Sequence, residues 1–275
     1  MNYKIISTDL DGTLLDSDLQ ISEQNKAAME QLAEKGVVVA VSTGRSFAEV
    51  PKRLREFPAL RYHATSNGAA TFDRDSGACI LSLGMEGEDK AFLLQTLRKH
   101  HAVFTIHFDG ASYFKKEWLD WDFMRSYRMS DQFIQHVYDR QNVIEDFEEF
   151  CDRQPIAESC CCFFRNEEEL SACRDEFLAQ GHFSISASMP DNLEVYSARA
   201  GKGNALLALA EKLGIDAAET IAVGDGTNDA DNLQKAGLGL AVSNADPLLL
   251  PYADQTICSN DEHIMEYILK NIIST

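Results

Sequence analysis

The sequence predicts an α/β protein with a doubly wound parallel sheet that is interrupted by an inserted α+β domain. Strand and helix patterns alternate over about the first 80 residues, and the same alternation returns beyond about residue 190. Between these parts, short segments joined by a hairpin signal are typical of antiparallel strands. We therefore expect residues 1–83 and 191–275 to form the core and residues 84–190 to form the insert.

The first part of the chain has the pattern of a β-α-β unit followed by another helix and strand. Ser22 is a suitable helix N-cap, and Gly36 stands where a left-handed residue ends the helix. The valine-rich segment after Gly36 is apolar without alternation, as expected for a central parallel strand covered on both faces. Pro51 would kink the second helix. The predicted elements are strands at 3–7, 37–41 and 62–65, and helices at 22–35 and from about 46.

The last part of the chain repeats this alternation. Apolar residues at helical spacing stop at Gly214, and a second helix stops at Gly237. Right-handed crossovers allow these elements and the first part to share one parallel sheet. The predicted elements are helices at 205–213 and 229–236, strands at 220–223, 238–242 and 255–258, and a closing helix through Ile264, Ile268 and Ile272.

The middle of the chain has a different pattern. Asp109-Gly110 lies between two alternating apolar segments, 103–108 and 111–115, which is a strong signal for a two-residue hairpin. Because this insert interrupts a domain that carries an acidic site, we expect it to cover that site and select what enters. Its other predicted elements are strands at 160–165, 183–187 and 193–196, and helices at 89–101, 142–153 and 167–180.

Composition excludes some classes of partner. A formal net charge of −19 argues against nucleic acid, because phosphate backbones are bound by clusters of Lys and Arg that this chain does not display. No apolar run approaches the roughly 18 to 20 residues that span a bilayer. The strand pattern begins at once, without a basic and apolar leader, so we expect a cytoplasmic protein.

The seven cysteines form an odd set without paired metal-ligand spacing, so neither a disulfide framework nor a zinc site is predicted. The run Cys160-Cys161-Cys162 does not change this conclusion, because adjacent strand residues alternate faces and cannot all bind one ion. We expect small, reduced thiols.

The most informative feature is a pair of carboxylates, Asp9 and Asp11, directly behind the first predicted strand. Like charges at the end of a buried strand are costly unless a cation or a reacting group stabilises them. A second short apolar strand also ends in acidic residues, Asp225 and Asp229. The two strand ends can meet only if both strands belong to one sheet, so the sequence predicts a metal-assisted site there.

The residue types indicate phosphoryl transfer. Asp9 is ionised at neutral pH without a base and can attack phosphorus as a nucleophile. Attack by one anion on another requires a hard divalent cation, and Mg²⁺ prefers carboxylate oxygens, which Asp225 can supply. Asp11 can protonate the leaving oxygen and later activate water against an aspartyl-phosphate.

Phosphoryl oxygens also need hydrogen-bond donors. Thr43-Gly44 follows the second predicted strand, where a hydroxyl and exposed backbone N–H groups can point at an anion. Lys202 lies between two glycines, just before the predicted helix at 205–213. Its flexible side chain can place a compact positive charge next to both the nucleophile and the phosphoryl group.

These residues resemble the motifs of the haloacid dehalogenase superfamily, and within it the Cof-type phosphatases that carry a large α/β cap. Asp9-x-Asp11-Gly12-Thr13 is similar to the first motif, Thr43-Gly44-Arg45 to the second, Lys202-Gly203 to the third and Gly224-Asp225-Gly226-Thr227-Asn228-Asp229 to the fourth. The motifs occur in the family's order, and the resemblance covers the whole chain. Two departures, Asn232-Leu233 and Ser243-Asn244-Ala245, lie outside the catalytic positions.

The resemblance implies specific roles. Asp9 is the nucleophile, and Asp11 is the acid/base and binds the metal through its backbone carbonyl. Asp225 is a metal ligand, with Asp229 in or behind the metal shell. Asn228 contacts the phosphate or the metal shell, and Asn67, in a turn similar to the family's Asn-Gly-Ala, contacts substrate.

Three hypotheses for function remain open from the sequence. The first is a Mg²⁺-dependent phosphatase for a small phosphorylated metabolite, such as a sugar phosphate or a nucleotide or cofactor phosphate. The second is a phosphotransferase or mutase that uses the same aspartyl-phosphate. The third is a phospho-accepting signalling module, which the large insert and the Asp-x-Asp spacing disfavour.

Overall fold

The computed structural model describes residues 3–273, and these divide into two compact units. The core unit runs to Arg45, includes Val50–Leu81 and resumes at Gly201, whereas the insert unit consists of Ser46–Glu49 and Ser82–Ala200. The insert therefore extends beyond the predicted 84–190 and also takes in four residues from the first part of the chain. Across residues 3–273, none of the helices combines the length and the apolar character needed to cross a bilayer.

The regular elements follow the chain in three groups. The first group contains β1 (Ile5–Thr8), α1 (Glu23–Glu34), β2 (Val38–Ser42), α2 (Lys52–Arg55), β3 (Leu60–Thr65), β4 (Ala70–Asp73) and β5 (Cys79–Ser82). The second contains β6 (Met85–Glu86), α3 (Gly87–Lys99), β7 (Val103–Phe108), β8 (Ala111–Lys115), α4 (Trp121–Ser126), α5 (Asp131–Arg140), β9 (Asn142–Ile144), α6 (Phe147–Arg153), β10 (Ile156–Ala157), β11 (Ser159–Phe163), α7 (Glu167–Gln180), β12 (Phe183–Ser186) and β13 (Asn192–Ser197). The third contains α8 (Lys202–Leu213), β14 (Thr220–Gly224), α9 (Ala230–Lys235), β15 (Leu238–Ala241), β16 (Gln255–Thr256) and α10 (Ile264–Ile268).

The core sheet confirms the predicted doubly wound arrangement. In the described part of the chain its strand order is β16-β15-β14-β1-β2-β3-β4-β5, and every pair from β16 to β3 is parallel. The chain passes from β1 outward to β3 on one side and from β14 outward to β16 on the other. The topological switch point therefore lies between β1 and β14, and ligands of such sheets bind beyond the carboxyl ends of the strands at that point.

Local sequence accounts for the helices on both faces of this sheet. The side chain of Ser22 accepts a hydrogen bond from the backbone N–H of Asn25 at 3.2 Å and caps α1, as predicted. Helix α8 ends at Gly214, whose φ of +68° is the left-handed conformation that glycine adopts most easily. The buried apolar side chains of α1 and α10 pack in one cluster, and Leu206 and Ala210 of α8 pack in another.

The helix predicted from about residue 46 is wrong as a single element. A 3₁₀ turn at Phe47–Glu49 is followed by α2, which begins after Pro51. Proline has no backbone N–H and its ring excludes a continuing helix on its N-terminal side, so the chain starts a new helix there instead of kinking one. Strands β4 and β5, which extend the sheet beyond β3, are not predicted by the sequence pattern, and β4 runs antiparallel to β3.

The insert contains the predicted antiparallel strands, from β12 to β8, with β9 added parallel to β8 at one edge. Its strand order is β12-β13-β11-β7-β8-β9 within the described residues, and Asp109 and Gly110 both have positive φ in the turn between β7 and β8. The chain up to Ser197 belongs to this sheet because β13 pairs with both β11 and β12. The helix predicted at 142–153 is wrong in its first half, where Asn142–Ile144 forms strand β9 beside β8.

The cysteines are free thiols within residues 3–273. Cys160 and Cys162 point from β11 into one apolar cluster, whereas Cys161 packs against another, as the alternation of a strand requires. Burial raises the pKa of each of these three thiols, which keeps them protonated and unreactive.

A buried polar network holds the Ser46–Glu49 segment within the insert unit. The carboxylate of Glu49 accepts hydrogen bonds from the backbone N–H and hydroxyl of Ser46, and lies 2.8 Å from Nε2 of His136. Nε2 of His107 lies 3.9 Å from the same carboxylate. Burial by itself would raise the pKa of Glu49. The pKa is nevertheless lowered to about 2, because His136 donates a hydrogen bond, the charges of His107 and His136 are close, and the Ser46 hydroxyl donates a further hydrogen bond.

This network predicts a specific acid sensitivity. Because the folded pKa of Glu49 lies below its ordinary value of 4.5, the ionised carboxylate contributes stability above that value and loses it as the pH falls towards about 2. Glu49→Gln should therefore lower the free energy of unfolding at pH 7, and its deficit relative to the wild type should shrink by pH 3. Urea unfolding followed by circular dichroism measures both values. Glu168→Gln, an exposed change in the same unit, is the control, and a deficit that stays constant with pH would contradict the assignment.

Candidate functional site

Three aspartates converge at the switch point of the core sheet. Asp9 follows β1, Asp225 follows β14, and Asp229 lies one turn further along. One carboxylate oxygen from each residue lies within 4.8 Å of the others. The backbone N–H of Asp9 donates to the carbonyl of Val223 at 3.0 Å, so the parallel pairing of β1 and β14 sets their spacing directly.

Lys202 completes this cluster from the first turn of α8. Its Nζ lies 2.9 Å from Oδ1 of Asp9 and 2.7 Å from Oδ1 of Asp229, and the side chain is 1% exposed. The other oxygen of Asp229 accepts the backbone N–H groups of Asp225 and Gly226, each at 3.1 Å. Both oxygens of Asp229 are therefore engaged, and this residue links the lysine to the loop that carries Asp225.

The electrostatics of the cluster follow from its burial. Desolvation raises the pKa of Asp9, and the charges of Asp229 and Asp225 raise it further against the opposing effect of Lys202. Burial also raises the pKa of Asp225. Burial alone would lower the pKa of Lys202, but the charges of Asp229 and Asp9 raise it above its ordinary value and keep the ammonium protonated. One ammonium faces three carboxylates, so the cluster attracts additional positive charge.

The loop after Asp9 is shaped to approach Asp225. Gly12 has a φ of +74°, and a Cβ at this position would lie 2.4 Å from Oδ2 of Asp225. The hydroxyl of Thr13 donates to Oδ1 of Asp225 at 2.6 Å. From the other side, the side-chain amide of Asn244 donates to the carbonyl of Gly12 at 2.8 Å. The glycine and threonine of the first motif thus serve to position the aspartate of the fourth.

The predicted phosphate-binding residues also lie together. Thr43 is 2% exposed, and its carbonyl accepts the backbone N–H of Asn67 at 3.0 Å. The turn at Ser66-Asn67-Gly68 has three successive positive φ values, which place the amide of Asn67 against Gly44. Nδ2 of Asn228 lies 3.5 Å from Oδ1 of Asn67. The backbone N–H of Gly201, next to Lys202, donates to the carbonyl of Asn67 at 2.9 Å, which joins this turn to the start of α8.

Among the four aspartates predicted at the site, Asp11 is the one whose side chain lies outside the cluster. Its two oxygens accept hydrogen bonds from Nε and Nη2 of Arg45, at 2.7 and 2.5 Å, and its side chain is 45% exposed. The sequence analysis includes Arg45 only as the last residue of the second motif and predicts no role for it. The signal was its position directly after Thr43-Gly44, which brings it to the same sheet edge as Asp11.

Comparison with known proteins agrees with this geometry. A family model described as haloacid dehalogenase-like hydrolase matches residues 6–268. The chain belongs to this family. A phosphatase of Bacillus subtilis, YwpJ, is 28% identical over 98% of this chain and all of its own length. The 5-amino-6-(5-phospho-D-ribitylamino)uracil phosphatase YcsE of the same organism is 27% identical over 95% of this chain and 92% of its own.

A solved structure of a haloacid dehalogenase-like hydrolase from B. subtilis has a TM-score of 0.80 and 29% identity, with 98% of this chain and 99% of the other covered. These findings confirm the predicted superfamily, the fold class and the assignment as a phosphoric monoester hydrolase. Asn232, one of the two departures from the family pattern, is fully buried, and its amide lies 3.4 Å from the hydroxyl of Ser7 in β1.

For a haloacid dehalogenase-like hydrolase, the donor set of this cluster is informative. The oxygens of Asp9 and Asp225 are hard ligands, and a hard divalent cation would offset the excess negative charge. Apart from the aspartate cluster, the described residues hold no group of three His, Cys, Asp or Glu side chains that could bind a metal. The residues present thus fit a cation of the magnesium type.

The ion pairs of Lys202 predict a large stability effect. Lys202→Met leaves Asp9 and Asp229 buried without their partner, so the free energy of unfolding should fall by about 3–5 kcal/mol. Lys235→Met removes a more exposed lysine that pairs with Asp231 at 3.5 Å, and should cost about 0–1 kcal/mol. Urea unfolding without divalent cations measures both changes. Equal effects of the two variants would contradict the proposed burial of charge.

Proposed function

We propose that this protein is a Mg²⁺-dependent phosphatase that hydrolyses a small phosphorylated metabolite through an aspartyl-phosphate at Asp9. The observation that carries the proposal is the contact of Lys202 with both Asp9 and Asp229 at the switch point, beside Asp225. A nucleophilic carboxylate, a fixed ammonium and an adjacent cation-binding oxygen set are the parts that phosphoryl transfer needs.

In the first step, a carboxylate oxygen of Asp9 attacks phosphorus and forms an acyl-phosphate bond, while the bond from phosphorus to the substrate oxygen breaks. The leaving oxygen takes a proton from the carboxyl group of Asp11. Lys202, the hydroxyl of Thr43 and the N–H groups around Gly44 hold the phosphoryl oxygens, and Asn228 and Asn67 complete the polar lining.

In the second step, water attacks phosphorus and gives a proton to Asp11. The bond between phosphorus and the Asp9 oxygen breaks, which releases inorganic phosphate and restores the Asp9 carboxylate. Asp11 can serve both steps only if its side chain leaves Arg45. Because both carboxylate oxygens of Asp11 are engaged by that guanidinium, we assign Arg45 to holding the acid/base between catalytic events.

The residues that would hold Mg²⁺ are Asp9 and Asp225, with the backbone carbonyl of Asp11, and Asp229 orients Lys202 and the neighbouring loop. A bound Mg²⁺ reduces the repulsion between an anionic nucleophile and an anionic phosphate ester. The argument for the cation rests on the carboxylate donor set and its excess negative charge.

For the substrate class, we propose a sugar phosphate or a nucleotide or cofactor phosphate. The support is the named activity of a relative of nearly equal length, which acts on a phosphorylated ribitylaminouracil. The insert supports a role in selection because it forms a compact unit of its own, separate in sequence from the residues assigned to the chemistry. Release of inorganic phosphate without an organic acceptor distinguishes this proposal from a phosphotransferase.

A test of the nucleophile uses phosphate release from a panel of phosphorylated metabolites. The wild type should release phosphate with Mg²⁺, lose activity in EDTA and recover it when Mg²⁺ is restored. Asp9→Asn should reduce kcat/KM by at least about 1,000-fold with an unchanged circular dichroism spectrum. Asp18→Asn, an exposed change in the following loop, should behave like the wild type. Metal-independent turnover, or an active Asp9→Asn variant, would remove the proposal.

A substrate with a good leaving group separates the two proposed roles of Asp11, protonation of the leaving oxygen and activation of water. With p-nitrophenyl phosphate the leaving oxygen needs little protonation, so Asp11→Asn should still form the aspartyl-phosphate but hydrolyse it about 100- to 10,000-fold more slowly. Stopped-flow absorbance should then show a burst of about one p-nitrophenolate per enzyme, followed by slow turnover. Asp9→Asn should show no burst. Steady turnover at the wild-type rate by Asp11→Asn would contradict the acid/base assignment.

A further inference from the structure

The insert contains a cavity that none of the proposed catalytic residues touches. Its volume is about 230 Å³, and the residues that line it come from positions 94–151, within the insert unit. It lies at the beginning of β7, where the chain turns sharply from α3 through His101, whose φ is +51°. The Asp109-Gly110 turn is at the opposite end of the same strand.

The inner wall of the cavity is aromatic. Phe104, Trp118 and Phe147 pack against one another with ring centroids 5.3 to 5.6 Å apart and interplanar angles of 50° to 66°. Phe104 and Phe147 are almost completely buried. Tilted and edge-to-face arrangements of this kind are the ones that aromatic rings prefer, so the wall offers a further ring the same type of contact.

The outer rim of the cavity is polar and contains Arg98, His101 and Glu148, all of them exposed residues. Arg98 donates from Nη2 to Asp152 at 3.1 Å, in a pair whose side chains are 41% and 60% exposed. Exposed pairs contribute little to stability, so Arg98 can turn to a ligand at small cost. The pair formed by Glu148 is less exposed than that of Arg98, because its partner, Lys115, is only 14% exposed. Lys115 also pairs with Glu117.

The size of the cavity restricts what can enter. A cavity of about 150 Å³ is enough to hold benzene, whereas pockets for larger organic ligands begin at about 300 Å³. The cavity in the insert therefore suits one ring with a short polar substituent. The group on the rim that can receive an anion is the guanidinium of Arg98, because its pair with Asp152 is exposed, whereas Glu148 is paired with Lys115.

We propose that this cavity is a second ligand site, which binds a single-ring aromatic carboxylate with its ring against Phe104, Trp118 and Phe147 and its carboxylate on Arg98. A planar guanidinium matches a carboxylate with two parallel hydrogen bonds, which gives the site its preference for this group. The site is independent of the proposed phosphatase chemistry, because it uses no residue of the aspartate cluster.

Benzoate is the probe, and Trp118 is the reporter. The chain has two tryptophans, so Trp121→Phe in the full-length protein leaves Trp118 as the sole source of fluorescence excited at 295 nm. Benzoate should change this fluorescence saturably. Benzyl alcohol, which has the ring without the charge, and benzylamine, which has the opposite charge, should each bind at least about 10-fold more weakly.

Arg98→Met tests the carboxylate contact. It should weaken benzoate at least about 10-fold and leave benzyl alcohol unchanged, whereas Arg153→Met, an exposed arginine of α6, should alter neither. Asp9→Asn should bind benzoate with unchanged affinity. The proposal is overturned if benzoate gives no saturable change, if benzylamine binds more tightly than benzoate, or if Arg98→Met binds benzoate as the wild type does.

Ala102→Leu tests the location, since it adds methyl groups to the lining of the cavity and should weaken both benzoate and benzyl alcohol. Thermal denaturation shows whether this buried variant is folded. If it is not, the surface variant Arg98→Met and its arginine control still decide the proposal. Binding of both probes to folded Ala102→Leu with wild-type affinity would place the ligand elsewhere and overturn the proposal.

Discussion

The buried ammonium of Lys202 is the interaction on which the organisation of the core site depends. It contacts Asp9 after β1 and Asp229 after β14, and Asp229 uses its other oxygen to fix the loop that carries Asp225. Three segments that are far apart in the sequence therefore share one charge. Since a buried carboxylate without a partner is strongly destabilising, the same contacts that place the proposed reacting groups also contribute to the stability of the fold.

Strand order determines where this interaction can form. Because β1 lies between β2 and β14, the residues that follow these strands emerge side by side at one edge of the sheet. Thr43 follows β2 and Asp225 follows β14, which brings the proposed phosphate-binding and cation-binding groups to either side of Asp9. The glycines then remove steric barriers, most clearly Gly12, where a Cβ would collide with the carboxylate of Asp225. Topology supplies the meeting point, and small residues permit the close approach.

The sequence predicted most of this arrangement because its signals are local and strong. Apolar runs defined the parallel strands, Ser22 and Gly214 marked helix ends, and Asp109-Gly110 defined a hairpin. The convergence of the three aspartates with Lys202 followed from placing the aspartates after strands of one sheet and Lys202 at the start of a helix. Such reasoning succeeds wherever a side chain's position is determined by the element next to it in sequence.

Sequence reasoning missed what tertiary contacts decide. The segment at Phe47–Glu49 has a helical pattern of apolar residues, but the buried carboxylate of Glu49 finds its partners in the insert, and Pro51 starts a separate helix. Strand β9 was read as helix because three residues carry too little periodicity to identify a strand without its neighbour β8. The pairing of Asp11 with Arg45 also depends on a tertiary contact, since the two residues are 34 positions apart in the sequence.

That pairing has a chemical consequence for the proposed reaction. Asp11 must present an oxygen first to the leaving group and then to water, yet Arg45 engages both of its oxygens. The guanidinium therefore competes with the reaction for the acid/base, and each catalytic cycle requires the pair to open. Since Arg45 follows Thr43-Gly44 directly, the loop that would bind the phosphoryl group also carries the residue that holds Asp11. The proposed reaction therefore needs two things from one short segment, donors for the phosphoryl group and release of Asp11 by Arg45.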